Sequence, residues 1–196
     1  NIIKGNKAIE GGGIAGGGTV TGNTIIANTA ERGGGIYSTD NPMPISNNYI
    51  LNNTASSHSG GIFADAGEIT ITGNVISGNS SGNKGGAIDL RVGSEGNISN
   101  NTIFNNTGSS IIYQYCFTND TIQFKNNVIV GNSTTGSYTV LLENHPSYGH
   151  DDILFNNNNI YDNGGTYELS NQSGLGTGSL NAESNYWGTS DASAIA

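Results

Sequence analysis

A six-residue phrase, N-x-I-x-x-N, recurs along the chain and constrains its fold more than any other feature. The phrase begins at Asn1 and again at positions 23, 48, 74, 101, 127 and 158, so successive copies start 22, 25, 26, 27, 26 and 31 residues apart. An altered copy, NYWGTS, begins at Asn185. Repeats of about 20 to 50 residues are typical of solenoids, in which each unit stacks on the next.

Two further landmarks in each unit indicate strands. A glycine-rich step leads into an apolar run, as in GGGI ending at Ile14, GGGIY at 33–37, GGIF at 60–63 and GGAI at 85–88. A short alternating segment follows, such as TVTG, PISN, ITITG, NISN, IQFKN or ILFNN. Alternation with many β-branched residues is typical of strands, and no segment shows helical periodicity. The sequence therefore predicts an all-β parallel β-helix solenoid with three short strands per coil and about seven coils.

Three columns of the repeat predict how one coil sits on the next. Position three of the phrase is isoleucine in all seven copies, which predicts a stack of core side chains. Position six is always asparagine, and stacked amides can hydrogen-bond along the axis. The residue before the phrase is glycine or asparagine from the second copy onward, and these residues tolerate a left-handed backbone. The phrase is thus interpreted as one strand between two corners.

Composition favours one elongated domain over residues 1–196, because a hydrophobic content of 34% suits a thin core along an axis. A net charge of −9 disfavours nucleic acid as a partner. The single cysteine, Cys116, excludes an intrachain disulfide, and no apolar run is long enough for membrane insertion. Because Asn1 already opens a repeat, we expect a segment of a longer precursor. Residues 185–196, which contain the only tryptophan, are expected to close the last coil.

Several of these motifs resemble those of known proteins. The glycine steps and the I-x-x-N phrases resemble the repeats of right-handed parallel β-helix proteins of the pectin-lyase-like group. GGAI at 85–88 with IFNN at 103–106 is similar to the repeats of polymorphic outer-membrane adhesins. NYWGTSD is similar to the end of β-helix repeats in archaeal adhesin-like and surface-layer-associated proteins. The resemblance implies a right-handed coil, but the same fold serves lyases, hydrolases, adhesins and fibres.

The outer face of the second strand is the first candidate site. If the isoleucines of that strand point inward, the next residues point outward and stack. Asp65, Asp89 and Arg91 would share a patch that could bind calcium, neutralise a uronate or support acid–base catalysis. A solvated ion pair beside an aromatic stripe is the structural alternative. The stacking candidates for a bound sugar are Tyr37, Phe63 and Tyr113.

A polar excursion, ENHPSYGHDD at 143–152, is the second candidate and makes its coil the longest. Its side chains are of the types that bind zinc or calcium, although their spacing matches no dedicated metal motif. An ordinary surface loop with incidental histidines, or a loop that contacts a glycan or a protein partner, is the alternative. The candidate ligands are Glu143, His145, His150, Asp151 and Asp152.

The N-x-S/T sequons predict where glycans could attach. Asn79 and Asn132 occupy the expected ladder at position six and should be inaccessible. The better candidates for glycosylation are Asn52, Asn105 and Asn119.

Three functions remain open at this stage. The favoured one is a non-enzymatic extracellular protein, either a surface adhesin or a subunit of a cell-surface fibre or sheath. Its expected partners are further copies joined end to end or other surface proteins. The alternatives are a polysaccharide lyase or glycoside hydrolase acting on an acidic glycan, and a carbohydrate-binding module. The sequence predicts no cofactor, although its acidic candidate sites could bind calcium.

Overall fold

A computed structural model gives the fold and describes residues 1–39, 42–65, 67–91, 96–116, 121–144, 152–172 and 179–188. Within these ranges every regular element is a short β-strand, and no helix is long and apolar enough to cross a membrane. The strands are β1 (Ile2–Lys4), β2 (Ile14–Gly16), β3 (Val20–Thr21), β4 (Thr24–Ile26), β5 (Thr29–Arg32), β6 (Ile36–Ser38), β7 (Met43–Ser46), β8 (Tyr49–Leu51), β9 (Thr54–His58), β10 (Ile62–Ala64), β11 (Ile69–Thr72), β12 (Val75–Ser77), β13 (Ser80–Ser81), β14 (Ile88–Leu90), β15 (Gly96–Ser99), β16 (Thr102–Phe104), β17 (Thr107–Gly108), β18 (Ile112–Cys116), β19 (Thr121–Lys125), β20 (Val128–Val130), β21 (Ser133–Thr134), β22 (Tyr138–Asn144), β23 (Asp152–Asn156), β24 (Asn159–Tyr161), β25 (Tyr167–Gln172) and β26 (Leu180–Asn181).

Each strand pairs in parallel with the equivalent strand of the next coil, so the sheets run along the axis of a solenoid. The first sheet has the order β1-β4-β8-β12-β16-β20-β24 and the second β2-β6-β10-β14-β18-β22-β25. The third sheet has the order β3-β7-β11-β15-β19-β23-β26. Three seven-stranded parallel sheets confirm the predicted parallel β-helix with three main strands per coil.

A fourth, short sheet was not predicted from the sequence. It has the order β5-β9-β13-β17-β21 and follows the first sheet in each coil. Its strands are two to five residues long and rich in serine and threonine. They lack the apolar alternation that marks a strand in a sequence, and they form because the neighbouring coils hold their backbones in register.

The isoleucine column forms the core beneath the first sheet, as predicted. Ile25, Ile50, Ile76 and Ile103 lie in register on consecutive strands and are completely buried. Inward residues of the other two main sheets meet them, and Trp187 stacks on Phe155 with ring centroids 6.3 Å apart. A single narrow core therefore runs along the axis.

Two asparagine ladders flank the first sheet, one at each corner. In the predicted ladder at position six, each Nδ2 donates to the Oδ1 of the next asparagine at 2.7–3.0 Å. A second ladder, which the sequence analysis did not identify, joins the asparagines at position one at 2.9–3.2 Å. Most backbone N–H groups in both columns donate to the same Oδ1 atoms, so buried polar groups at the corners are satisfied.

A left-handed residue precedes each ladder asparagine and turns the chain. Before position one, this residue is Asn47, Asn100 or an equivalent residue with φ between 54° and 66°. Before position six, the same conformation occurs at Asn52 and Asn105, and also at Ala27 with φ of 54°. Alanine is strained in this conformation because its Cβ crowds the backbone. The tight corners are therefore built by local backbone geometry that asparagine and glycine tolerate best.

Candidate functional site

The second sheet carries the predicted outward row. Phe63 pairs in register with Tyr37 on one side and with Asp89 on the other, and Asp89 pairs with Tyr113. The preceding residue in each strand is a buried isoleucine, so side chains alternate between the core and this outer face. The structure therefore places four of the candidate residues in one continuous row.

The rings in this row are buried against their neighbours. Tyr37, Phe63 and Tyr113 are only 6%, 2% and 4% exposed. Tyr37 stacks on Phe63 with centroids 5.2 Å apart and planes at 5°, and His58 stacks on Phe63 at 5.5 Å. These rings therefore offer little free surface to a sugar, in contrast with the stacking role predicted for them.

Asp89 is the most buried ionisable group of the row, because its side chain has no exposed surface. Arg91 Nε donates to Asp89 Oδ1 at 3.4 Å. His58 Nδ1 lies 3.4 Å from Asp89 Oδ2, which is close enough for an ion pair, yet Oδ2 accepts no hydrogen bond of acceptable geometry. The short distance therefore does not make a hydrogen bond, because hydrogen-bond strength falls steeply with angle. One oxygen of a buried carboxylate is thus incompletely satisfied.

Arg91 lies at the centre of this group. Its guanidinium carbon is 5.7 Å from the Phe63 ring centroid and 5.9 Å from that of Tyr113. Its NH2 group also lies 3.3 Å from His58 Nδ1. Arg91 thus neutralises Asp89 and packs against both rings at once, which keeps its position fixed.

A second set of contacts surrounds Glu143. Lys84 Nζ donates to Glu143 Oε2 at 2.8 Å, and the Tyr113 hydroxyl donates to the same oxygen at 2.7 Å. Lys84 Nζ also lies 4.1 Å from the Tyr113 ring centroid. Burial would raise the pKa of Glu143, but the hydrogen bonds from Lys84 and Tyr113 outweigh burial and lower it. Burial, followed by the bond to Glu143, raises the pKa of Tyr113 far above its usual range.

The remaining candidates do not join one site. Asp65 is exposed, and the ion pairs of Asp89 and Arg91 among the described residues do not include it. Asp152 is also exposed, and hydrogen bonds from the backbone and hydroxyl of Ser179 lower its pKa. Of the predicted metal ligands, Glu143 bonds to Lys84 and Tyr113 beside the aromatic row, and Asp152 bonds to Ser179. The other three metal candidates, His145, His150 and Asp151, lie outside the described residues.

No group of three or more His, Cys, Asp or Glu side chains that could hold a metal occurs in the part of the chain that the structure describes.

The sequons differ in exposure, as expected from their positions in the repeat. Asn52 and Asn105 are exposed at corners, while Asn79 and Asn132 are buried in the ladder. Asn119 lies outside the described residues.

Sequence reasoning missed two members of the cluster, His58 and Lys84. Neither belongs to the second strand, and each reaches the row from the segment that precedes the glycine step. His58 contacts Asp89 in the next coil, and Lys84 contacts Glu143 two coils further on. Only the register between coils brings these residues together, and local spacing carries no such signal.

A family model described as a right-handed β-helix region matches residues 1–149. Searches of curated proteins and of solved structures gave no match. The family match covers well over half of the chain and agrees with the parallel solenoid of the structure. The chain therefore belongs to the right-handed β-helix family.

Proposed function

We propose that this protein is a non-enzymatic structural or adhesive rod of the cell surface. The observation that carries the proposal is the pair of uninterrupted asparagine ladders beside a continuous isoleucine column. Parallel sheets, amide ladders and a narrow core that all run along one axis resist bending and local opening. A stiff rod with an acidic, polar exterior suits an extracellular support or attachment element.

The cluster formed by Asp89 with Arg91 and by Glu143 with Lys84 and Tyr113 supports a structural role. Most of its functional groups are already bonded to one another. The Glu143 carboxylate has a lowered pKa and accepts two hydrogen bonds, so it is a poor proton donor. The raised pKa of Tyr113 keeps its hydroxyl protonated, so it is a poor base. Asp89 has no exposed surface through which to reach a substrate. The cluster therefore joins adjacent coils on the second sheet.

Association of rods end to end is part of the proposal. Ile9 in the first described coil is 74% exposed, and contact of that coil with a second copy would bury it. Negative-stain electron microscopy of the purified protein, before and after addition of calcium, tests this association. We expect rods that join end to end. Single dispersed rods at every protein concentration, with and without calcium, would rule out self-association through the rod ends.

The second candidate function is a polysaccharide lyase or glycoside hydrolase. Asp89 favours it, because a buried carboxylate oxygen without a hydrogen bond is a feature of some functional sites. The test is incubation with a panel of acidic polysaccharides, followed by reducing-end and unsaturated-product assays. We expect no cleavage. Cleavage that Asp89→Asn abolishes, while Asp65→Asn retains it, would replace the structural proposal with an enzymatic one.

A further inference from the structure

The outer face of the first sheet differs from the outer faces expected of a polar rod. Its side chains come from positions two and four of the repeated phrase, because position three points into the core. Most residues of the two outward rows are apolar or aromatic. The first row contains Ile2, Tyr49, Val75 and Val128 with Thr24, Thr102 and Asn159 between them, and the second contains Ile26, Leu51, Phe104, Val130 and Tyr161 with Lys4 and Ser77. On the third sheet, the corresponding outward positions of three consecutive coils hold Thr70, Asn97 and Gln123. We call the two apolar rows the binding strip.

Aromatic rings recur on the binding strip at regular intervals. Tyr49 belongs to β8, Phe104 to β16 and Tyr161 to β24, so every second strand from β8 onward contributes one ring, Tyr49 in the first row and the other two in the second. Neighbouring strands are about 4.8 Å apart, which separates the rings by about 10 Å along the axis. Tyr49 is 55% exposed, and Tyr186, which meets Tyr161 edge-on at 5.7 Å, is 51% exposed. Phe104 and Tyr161 are partly exposed, so all three rings of the strip are more accessible than Tyr37, Phe63 and Tyr113 of the second sheet.

Exposed amides border the binding strip on both sides. Asn100 and Asn126 turn the chain on one side, and Asn52 and Asn105 turn it on the other. An amide offers both donors and acceptors, so it can hydrogen-bond to hydroxyl groups. Lys4 is the only charged side chain in the two outward rows. An apolar, aromatic surface between rows of amides matches a ligand that has apolar faces and hydroxylated edges.

We propose that the binding strip binds a neutral, extended β-linked glycan along the rod axis. The inference rests on the proposed adhesive role, for which it names the partner. In a straight β-1,4-linked chain, every second sugar presents the same face, so rings on every second strand can each stack under one sugar. The neutrality of the strip and the net charge of −9 disfavour an acidic glycan.

The size of the binding strip favours a ligand of single-chain width over a second copy of the protein. Six steps of about 4.8 Å make it about 29 Å long, and two outward rows make it about 10 Å wide. The footprint is therefore about 300 Å², whereas a stable protein interface needs about 800 Å² on each partner. A glycan of about six sugars can lie along this surface and contact all three rings.

The test uses the protein expressed in a bacterial host, so that Asn52 and Asn105 carry no sugars beside the strip. Cellohexaose and chitohexaose are the neutral β-1,4-linked probes, and maltohexaose and oligogalacturonate are the curved and acidic controls. Binding is measured by isothermal titration calorimetry. We expect at least one neutral β-linked probe to bind, and Tyr49→Ala or Tyr161→Ala to weaken it by about tenfold. Tyr167→Ala removes a similarly exposed ring from the second sheet and should leave binding unchanged.

Three outcomes would overturn this inference. The first is that neither neutral probe binds. The second is that the Tyr49→Ala and Tyr161→Ala variants bind the probe as tightly as the wild-type protein does. The third is that light scattering detects a dimer of the wild-type protein that Tyr49→Ala abolishes. Circular dichroism of each variant checks that the fold is kept. Rods that still associate without binding a glycan would refute only this inference. Cleavage of a bound probe would instead refute the non-enzymatic role and leave the strip as the site of contact.

Discussion

The strongest test of the rod architecture is the removal of one amide from the middle of the position-six ladder. Asn79 Nδ2 donates to Ile50 O at 2.8 Å and to Asn106 Oδ1 at 3.0 Å. Its Oδ1 accepts from the backbone N–H of Asn53 at 2.9 Å and from Asn53 Nδ2 at 3.0 Å. Asn79→Ala removes all four hydrogen bonds and leaves a buried N–H without an acceptor. At about 1 kcal/mol per bond, the free energy of unfolding should fall by about 4 kcal/mol.

Asn6→Ala is the matched control, because it changes the same column at an exposed position. Asn6 Nδ2 donates to Asn28 Oδ1 at 3.0 Å, while the Asn6 backbone N–H keeps that acceptor after the change. One exposed hydrogen bond is lost, which should cost at most about 1 kcal/mol. Urea unfolding followed by circular dichroism gives the two stabilities, and hydrogen exchange reports the amide of Asn53. Equal costs for the two variants, with unchanged exchange at Asn53, would refute the argument that the ladder stabilises the rod.

Three further predictions concern a corner, an ion pair and the sequons. Ala27→Gly should raise the free energy of unfolding by about 1 kcal/mol, because φ is 54° there, whereas the control Ala30→Gly should lower it in the same urea titration. The pKa of Glu143 in the folded protein lies below its ordinary value of 4.5. The ionised side chain therefore stabilises the fold above pH 4.5, and this stabilisation is lost as the pH falls through the folded-state pKa. Thermal unfolding should therefore find Glu143→Gln less stable than the wild-type protein at pH 7, with the difference shrinking as the pH is lowered below 4.5. In a eukaryotic secretory host, mass spectrometry should find glycans on the exposed sequons and none on the buried ones. Asn52 and Asn105 are among the exposed sequons, and Asn79 and Asn132 are buried.

The sequence predicted those features that depend on the repeat itself. The isoleucine column and the ladder at position six follow from identical residues recurring at one place in every coil. The second ladder was missed because Asn1 and its equivalents were interpreted as corner residues, and a corner and a ladder both favour asparagine. The short sheet was missed because strands such as Ser80–Ser81 have no apolar alternation. Periodicity therefore identifies the coil but underestimates how much of its backbone is paired.

The candidate sites were predicted less completely because they depend on contacts between coils. Alternation correctly placed Phe63 and Asp89 on the outer face of the second sheet. It could not show that His58 covers the Phe63 ring. It also could not show that Arg91 pairs with Asp89 and not with Asp65. The apolar face of the first sheet was visible in the sequence as residues two and four of each phrase. Its significance emerged only in the structure, where its rings are more exposed than Tyr37, Phe63 and Tyr113 of the second sheet.

The direction of the ladders constrains how one rod can meet another. Every ladder Nδ2 points toward the following coil, so the last asparagine of each ladder has an N–H donor with no asparagine beyond it to accept the bond. At that end, Asn163 Nδ2 donates to Glu168 Oε2 at 2.9 Å, and Asn185 Nδ2 donates to Ala182 O at 2.7 Å. These internal acceptors, one of them a carboxylate, satisfy the donors that a further asparagine would otherwise take. A further coil would therefore have to displace these acceptors before it could extend the ladders, whereas packing against the exposed Tyr186 would leave them in place. A glycan on the first sheet meets no such restriction, because that face runs along the rod and is independent of its ends.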